Sequence, residues 1–183
     1  ARPTIPHQGQ LQLAQQALDN SDYKGAAECF EEIAAKTKDP SIWRRCIGAW
    51  LSANDKERAE RAAFQAAKLG DRSTELTRHL EALFPMVKRD MHRYAETVGG
   101  GLVGSAAEYW SVRARARLDK RNFKAAVDDL RMALELDAER IADWIKLGHA
   151  LRDLGNASGA ARAYAQAFFK LRALSEQDAQ GKR

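Results

Sequence analysis

Small residues recur 34 residues apart within each of two pairs of segments along this chain, and that period constrains the fold more than any other feature. In frames opening at His7, Ser41, Ala107 and Ile141, the eighth position reads Ala14, Gly48, Ala114 and Gly148. The twenty-fourth reads Phe30, Phe64, Leu130 and Tyr164, and the twenty-seventh reads Ile33, Ala67, Ala133 and Ala167. A small residue on one helix lets a second helix approach closely, and a large apolar residue on that second helix fills the groove between them. A period between about 20 and 50 residues implies stacked supersecondary units, each burying its apolar face against the next. Only 4 Pro and few β-branched runs favour helix over sheet. The expected fold class is therefore all-α, built from antiparallel helix hairpins.

The residues at the key positions carry a family likeness. In the last frame Trp144, Leu147, Gly148, Leu151, Ala160, Tyr164 and Ala167 keep fixed spacings, with Leu154, Gly155 and Asn156 at the turn. The frame before it supplies Trp110, Ala114, Ala126, Leu130 and Ala133, with Asn122 and Phe123 at the turn. With these residues the chain resembles the tetratricopeptide repeat family, whose motif runs Trp, Leu, Gly or Ala, an aromatic or Leu, then Ala, an aromatic, Ala and Pro. The resemblance implies a right-handed α-solenoid. Departures from the motif are informative. Arg113 and Arg117 stand where Leu and an aromatic belong, so either the helix shifts by a residue or two or these side chains snorkel outward. The first two frames place Gln10 and Arg44 at the Trp position, and the second has Glu60 for the usual Ala, which makes them the weaker repeats. Pro40 falls near the expected turn between repeats.

These features divide the chain into an N-terminal arm at 1–6, two weak repeats over 7–74, an irregular helical segment over 75–106, two clear repeats over 107–174 and a polar tail at 175–183. In the irregular segment Leu76, Leu80, Leu83, Val87, Met91, Tyr94 and Val98 form an amphipathic stripe, and Pro85 predicts a break near Leu83 and Phe84. The stripe packs between the flanking repeats or meets another chain. Gly99, Gly100, Gly101 and Gly104 match the glycine spacing of a dinucleotide-binding loop, but that loop must follow a buried strand, and here a helix precedes it. A hinge is the expected role, and no cofactor is expected.

Catalytic signatures are missing from the sequence. It has no nucleophile elbow and no phosphate-binding loop, and neither Cys29 nor Cys46 has a neighbouring His to activate it. His7, His79, His92 and His149 are scattered without zinc spacing, and the His92 and Glu96 pair reads as an exposed ion pair. The chain is not expected to be an enzyme. No window approaches the roughly 20 apolar residues of a membrane span, and the two cysteines suit buried thiols in a cytoplasmic setting. Arg113, Arg115, Arg117, Lys120, Arg121 and Lys124, flanked by Tyr109, Trp110 and Phe123, form a basic stretch that could contact nucleic acid. Against that, Trp110 and Phe123 have repeat-packing duties, and 30 basic residues are set against 25 acidic ones. A solvated helix face, or contact with an acidic protein partner, is the better reading of this stretch.

The resemblance implies that the first helices of successive hairpins line a concave groove that reads a peptide or a protein. In the last two repeats its inner face would carry Glu108, Ser111, Arg115, Asp119, Ile145, Lys146, His149 and Asp153. Some family members clamp a terminal carboxylate with Lys, Asn and Arg; the matching positions here read Leu11, Gln15 and Cys46, which disfavours that ligand. The expected function is a protein-interaction scaffold. The alternative is a non-catalytic accessory domain of a larger enzyme, such as a glycosyltransferase or an envelope-assembly protein. Phe168, Phe169 and Leu171 on the last helix, or the central stripe, could also support a homo-oligomer.

Overall fold

The computed structural model describes residues 7–85 and 105–181, with side chains as far as 177. The N-terminal arm, the later part of the central stripe (Val87, Met91, Tyr94 and Val98), the glycine loop and the His92 and Glu96 pair lie outside the described residues. Every regular element among those described is an α-helix. The chain divides into two units, Ala1–Pro85 and Met86–Arg183.

In the first unit α1 (Gln8–Asp19) pairs with α2 (Tyr23–Thr37), and α3 (Pro40–Ser52) pairs with α4 (Lys56–Lys68). Helix α2 also packs on α3, and α5 (Thr74–Leu83) lies against α4 and α3. The second unit repeats the plan. Helix α6 (Ala106–Asp119) pairs with α7 (Phe123–Leu136), α7 packs on α8 (Ile141–Asp153), and α8 pairs with α9 (Ala157–Gly181).

One turn geometry makes all four hairpins. Ser21, Asn54, Arg121 and Gly155 each take a positive φ, and the following residue donates its backbone N–H five residues back. Those bonds are Asp22 to Ala17, Asp55 to Trp50, Asn122 to Arg117 and Asn156 to Leu151, all 2.8–2.9 Å. This is the Schellman closure, which satisfies carbonyls that a helix end would otherwise leave bare. The same Asp or Asn then caps the next helix through its side chain, accepting from Gly25, Arg58, Ala125 and Gly159 respectively.

This shared turn corrects the register of the second repeat. The positive-φ residues Ser21, Arg121 and Gly155 are fifteenth in frames opening at His7, Ala107 and Ile141. Asn54 is fifteenth only when its frame opens at Pro40 rather than Ser41. Trp43 then occupies the Trp position and Ala59 the Ala position, and Ala63 and Ala66 follow on the second helix, all of them buried. The apparent misfits Arg44 and Glu60 stand one residue off the packing positions, and so do the apparent matches Gly48 and Phe64. The short link between α2 and α3 is the physical reason. Lys38 turns left-handed at φ 53°, Asp39 caps, and Pro40 opens the helix at once.

The packing code holds most clearly in the last hairpin. Gly148 lets the Tyr164 ring lie so close that a Cβ placed on it would meet Tyr164 Cε1 at 2.4 Å. Around this contact Ala114, Val127, Leu130, Leu134, Leu147, Ala150, Leu151, Ala160 and Ala163 form one core cluster. Helix α5 ends at Leu83 where Pro85 predicts the break, because the residue before a proline is pushed out of helical geometry. Helix α9 runs on to Gly181, so most of the expected polar tail is helical. Beyond Lys170, which reaches Glu139 at 2.6 Å, residues 171–177 are all exposed. No helix among the described residues is long and apolar enough to cross a membrane.

Candidate functional site

The two arginines that break the motif do neither of the things expected of them. Both turn onto Asp129 of α7, whose carboxylate is 1% exposed. Arg113 donates from Nη2 to Oδ1 at 2.6 Å and from Nε to Oδ2 at 3.0 Å, and Arg117 Nη1 lies 2.8 Å from Oδ2. Arg117 also donates to the Ala125 carbonyl at 3.0 Å. A planar guanidinium presents paired donors in the geometry of a carboxylate, so two arginines can satisfy one buried Asp. The signal available in the sequence was Asp129 itself, an acid between Val127 and Leu130 on the apolar stripe of its helix.

A second buried carboxylate fastens the next hairpin. Asp143, also 1% exposed, accepts from Ser111 Oγ at 2.8 Å, Arg140 Nε at 2.6 Å and Lys146 Nζ at 2.9 Å. Burial alone pushes the Asp143 carboxyl up, but Arg140, Lys146 and Ser111 more than reverse it and hold the group below the ordinary carboxylate range. The bond from Ser111 joins α6 to α8, the first helices of two successive hairpins.

These pairings sort the residues placed on the inner face. Ser111 is buried with its hydroxyl on Asp143, and Lys146 is half-buried on the same carboxylate. Arg115, Asp119, Ile145, His149 and Asp153 are exposed and Glu108 is half-buried. On α6 the residues Glu108, Ser111, Arg115 and Asp119 follow helical steps of three and four, so they share one face. On α8 Ile145, His149 and Asp153 do the same, with His149 edge-on to Tyr164 at 5.6 Å. The Ser111 to Asp143 bond joins the two helices that carry these residues. Arg115 has no hydrogen-bond or ion-pair partner among the described residues, whereas Asp153 meets Arg152 at 3.2 Å. The basic stretch is thinned by the same chemistry: Arg113 and Arg117 are spent on Asp129, leaving Arg115, Lys120, Arg121 and Lys124 exposed.

No protein-family model matches the chain, and no curated protein matches it. Several solved structures do. "MamA 41-end from Desulfovibrio magneticus RS-1" is 16% identical over 90% of this chain and 94% of that one, with a TM-score of 0.39. "Crystal structure of MamA" is 12% identical over 89% of this chain and 96% of that one, with a TM-score of 0.40. Overlap at this level is too loose to lend the chain a family or a partner. The helical-repeat architecture stands on the hairpins themselves.

The first unit holds its own polar cluster. Arg44 reaches Asp71 at 2.7 Å and Glu75 at 2.9 Å, which ties α3 to the start of α5. Burial works against the charge of Asp71, yet Arg44 and Ser73 bring its carboxyl below the ordinary range. Beside this cluster burial lowers the basicity of His79. Cys46 is fully buried with Sγ 3.5 Å from the Ala27 carbonyl, and burial pushes its thiol up to about 12, which leaves it inert as a nucleophile. Among the described residues no three His, Cys, Asp or Glu side chains are grouped to hold a metal ion.

Proposed function

We propose that this chain is a protein-interaction scaffold and that an extended peptide lies across α6 and α8 of its second unit. The observation that carries the reading is the contrast between committed and free charges on that surface. Lys146, Arg113 and Arg117 are bound to buried carboxylates, while on the same pair of helices Arg115 is exposed and unpaired among the described residues and the apolar Ile145 is 39% exposed. An unpaired charge beside an apolar anchor is the pattern by which a peptide surface gains specificity and contact area. Glu108, Asp119, His149 and Asp153 supply the polar rim, and Ser111 with Lys146 supports it from beneath.

Peptides selected against the chain by display from a random library test this reading. Arg115→Glu and Ile145→Glu should each weaken the selected peptides by about 30-fold, the loss of roughly 2 kcal/mol expected for a desolvated charge contact or a central anchor. Lys124→Glu, on the exposed side of α7, should leave them unchanged. Peptides that respond to Lys124→Glu and ignore the first two substitutions would refute the placement. Lys146 is unsuitable for this test, because changing it disturbs Asp143.

A further inference from the structure

The intrachain junctions between hairpins are made by two recurring positions. On the second helix of a hairpin the twenty-eighth frame position is Ala34 in α2 and Leu134 in α7, at 0% and 5% exposure. On the first helix of the next hairpin the seventh position is Cys46 in α3 and Leu147 in α8, at 0% and 5%. Cys46 Sγ touches the backbone of α2, and Leu134 and Leu147 line one cleft together with Arg131, Glu135 and Trp144. Besides Ala67 in α4, which is half-buried, and Arg113 in α6, which turns onto Asp129, the two positions recur on α9 and α1, there without a described helix over them. The twenty-eighth position of α9 is Phe168, which is 61% exposed, and the seventh position of α1 is Leu13, which is 60% exposed.

We infer that a second copy of this chain seats its α1 on the α9 of the first, continuing the α7–α8 interface by one period. The chemistry of both faces suits that occupant. Along α9 the junction face reads Ala161, Ala165, Phe168 and Phe169, more apolar than the corresponding Arg131 and Glu135 of α7. Helix α1 carries a single charge, Asp19 at its last residue, and is otherwise built of Gln, Gly, Ala and Leu, so seating it strands no charge on the phenyl rings. The antiparallel arrangement of α7 and α8, repeated here, carries the Asp19 end of α1 towards the first turns of α9, where Arg162 is exposed. The contact is head-to-tail, using a different surface on each copy, so each added copy offers a fresh α9 to the next.

Sedimentation of the 183-residue chain over a range of concentrations tests this. The parent should grow in mass from 20.4 kDa through dimer to larger species as concentration rises. Phe168→Glu and Leu13→Glu should each remain at the monomer mass, with unchanged helical circular dichroism as proof of folding. Mixed together, the two variants should form dimers and stop there, since the pair retains one intact interface. Asp19→Arg with Arg162→Asp should associate better than either substitution alone. A parent that is monomeric throughout would overturn the inference. So would Leu13→Glu self-associating like the parent, which would mean that α9 pairs with another α9 or with some other surface.

Discussion

Gly148 is a position where a single methyl group does measurable damage. A Cβ there would meet three atoms of the Tyr164 ring at 2.4–2.8 Å, and the ring is held in turn by His149 and the core around it. Gly148→Ala should destabilise the second unit by about 1–3 kcal/mol, the usual penalty of overpacking, read from urea unfolding. Gly9 makes the control: a Cβ there meets nothing within 4 Å, so Gly9→Ala should stabilise α1 by about 0.5–1 kcal/mol. Asp129 behaves differently. Asp129→Asn keeps the shape but leaves two guanidinium groups facing a neutral amide, and a loss of about 3 kcal/mol is expected in the same measurement. The Gly148 contact was legible in the sequence because small residues at a fixed interval have one common cause, close helix approach. The Asp129 arrangement was not, because the residues that explain Arg113 and Arg117 lie on a different helix, and no spacing rule connects them.

At the scale of helices, the polar bonds act as fasteners between neighbours that also share apolar contacts. Asp143 joins α6 to α8, and its carboxyl sits below the ordinary value of 3.8. A carboxyl held low in the folded state binds fewer protons than in the unfolded chain, so its stabilisation is present above pH 3.8 and is lost as pH falls through the folded value. Asp143→Asn should therefore be clearly less stable than the parent at pH 6, and the gap should narrow as pH falls below 3.8, where the unfolded chain takes up a proton that the folded carboxyl still resists. A gap that stays constant down to pH 3 would show that the charge of Asp143 contributes nothing. Helix ends were the well-read part of the sequence: the Leu154, Gly155 and Asn156 turn and the proline break after Phe84 follow from local chemistry. The register of the second repeat was misread by one residue, because the link through Lys38 and Asp39 is short, and a fixed period cannot see a change confined to a link.

Among the described residues, the repeat plan accounts for which helix faces are covered and which are exposed. The candidate peptide surface was legible as a set of helix faces, since the first helices of hairpins could be named from the frames. Its division into bound and free charges was not, because Asp143 belongs to the helix it fastens and reads in sequence as an ordinary first-turn acid. If copies of the chain stack through α1 and α9, the unfolding temperature should rise with protein concentration, since association stabilises only the folded form. Scanning calorimetry at two concentrations about 100-fold apart should show that rise in the parent and a constant midpoint in Phe168→Glu.

The pairing of Arg113 and Arg117 with Asp129 also has a consequence for descent. A lone arginine at either motif position would face an apolar helix, and a lone Asp129 would be a stranded charge, so no single substitution leads comfortably from the ordinary motif to this one. The three positions form one unit of inheritance. In any relative that restores Leu or an aromatic at positions 113 and 117, position 129 should have become apolar as well, and a relative retaining Asp129 should retain at least one of the two arginines.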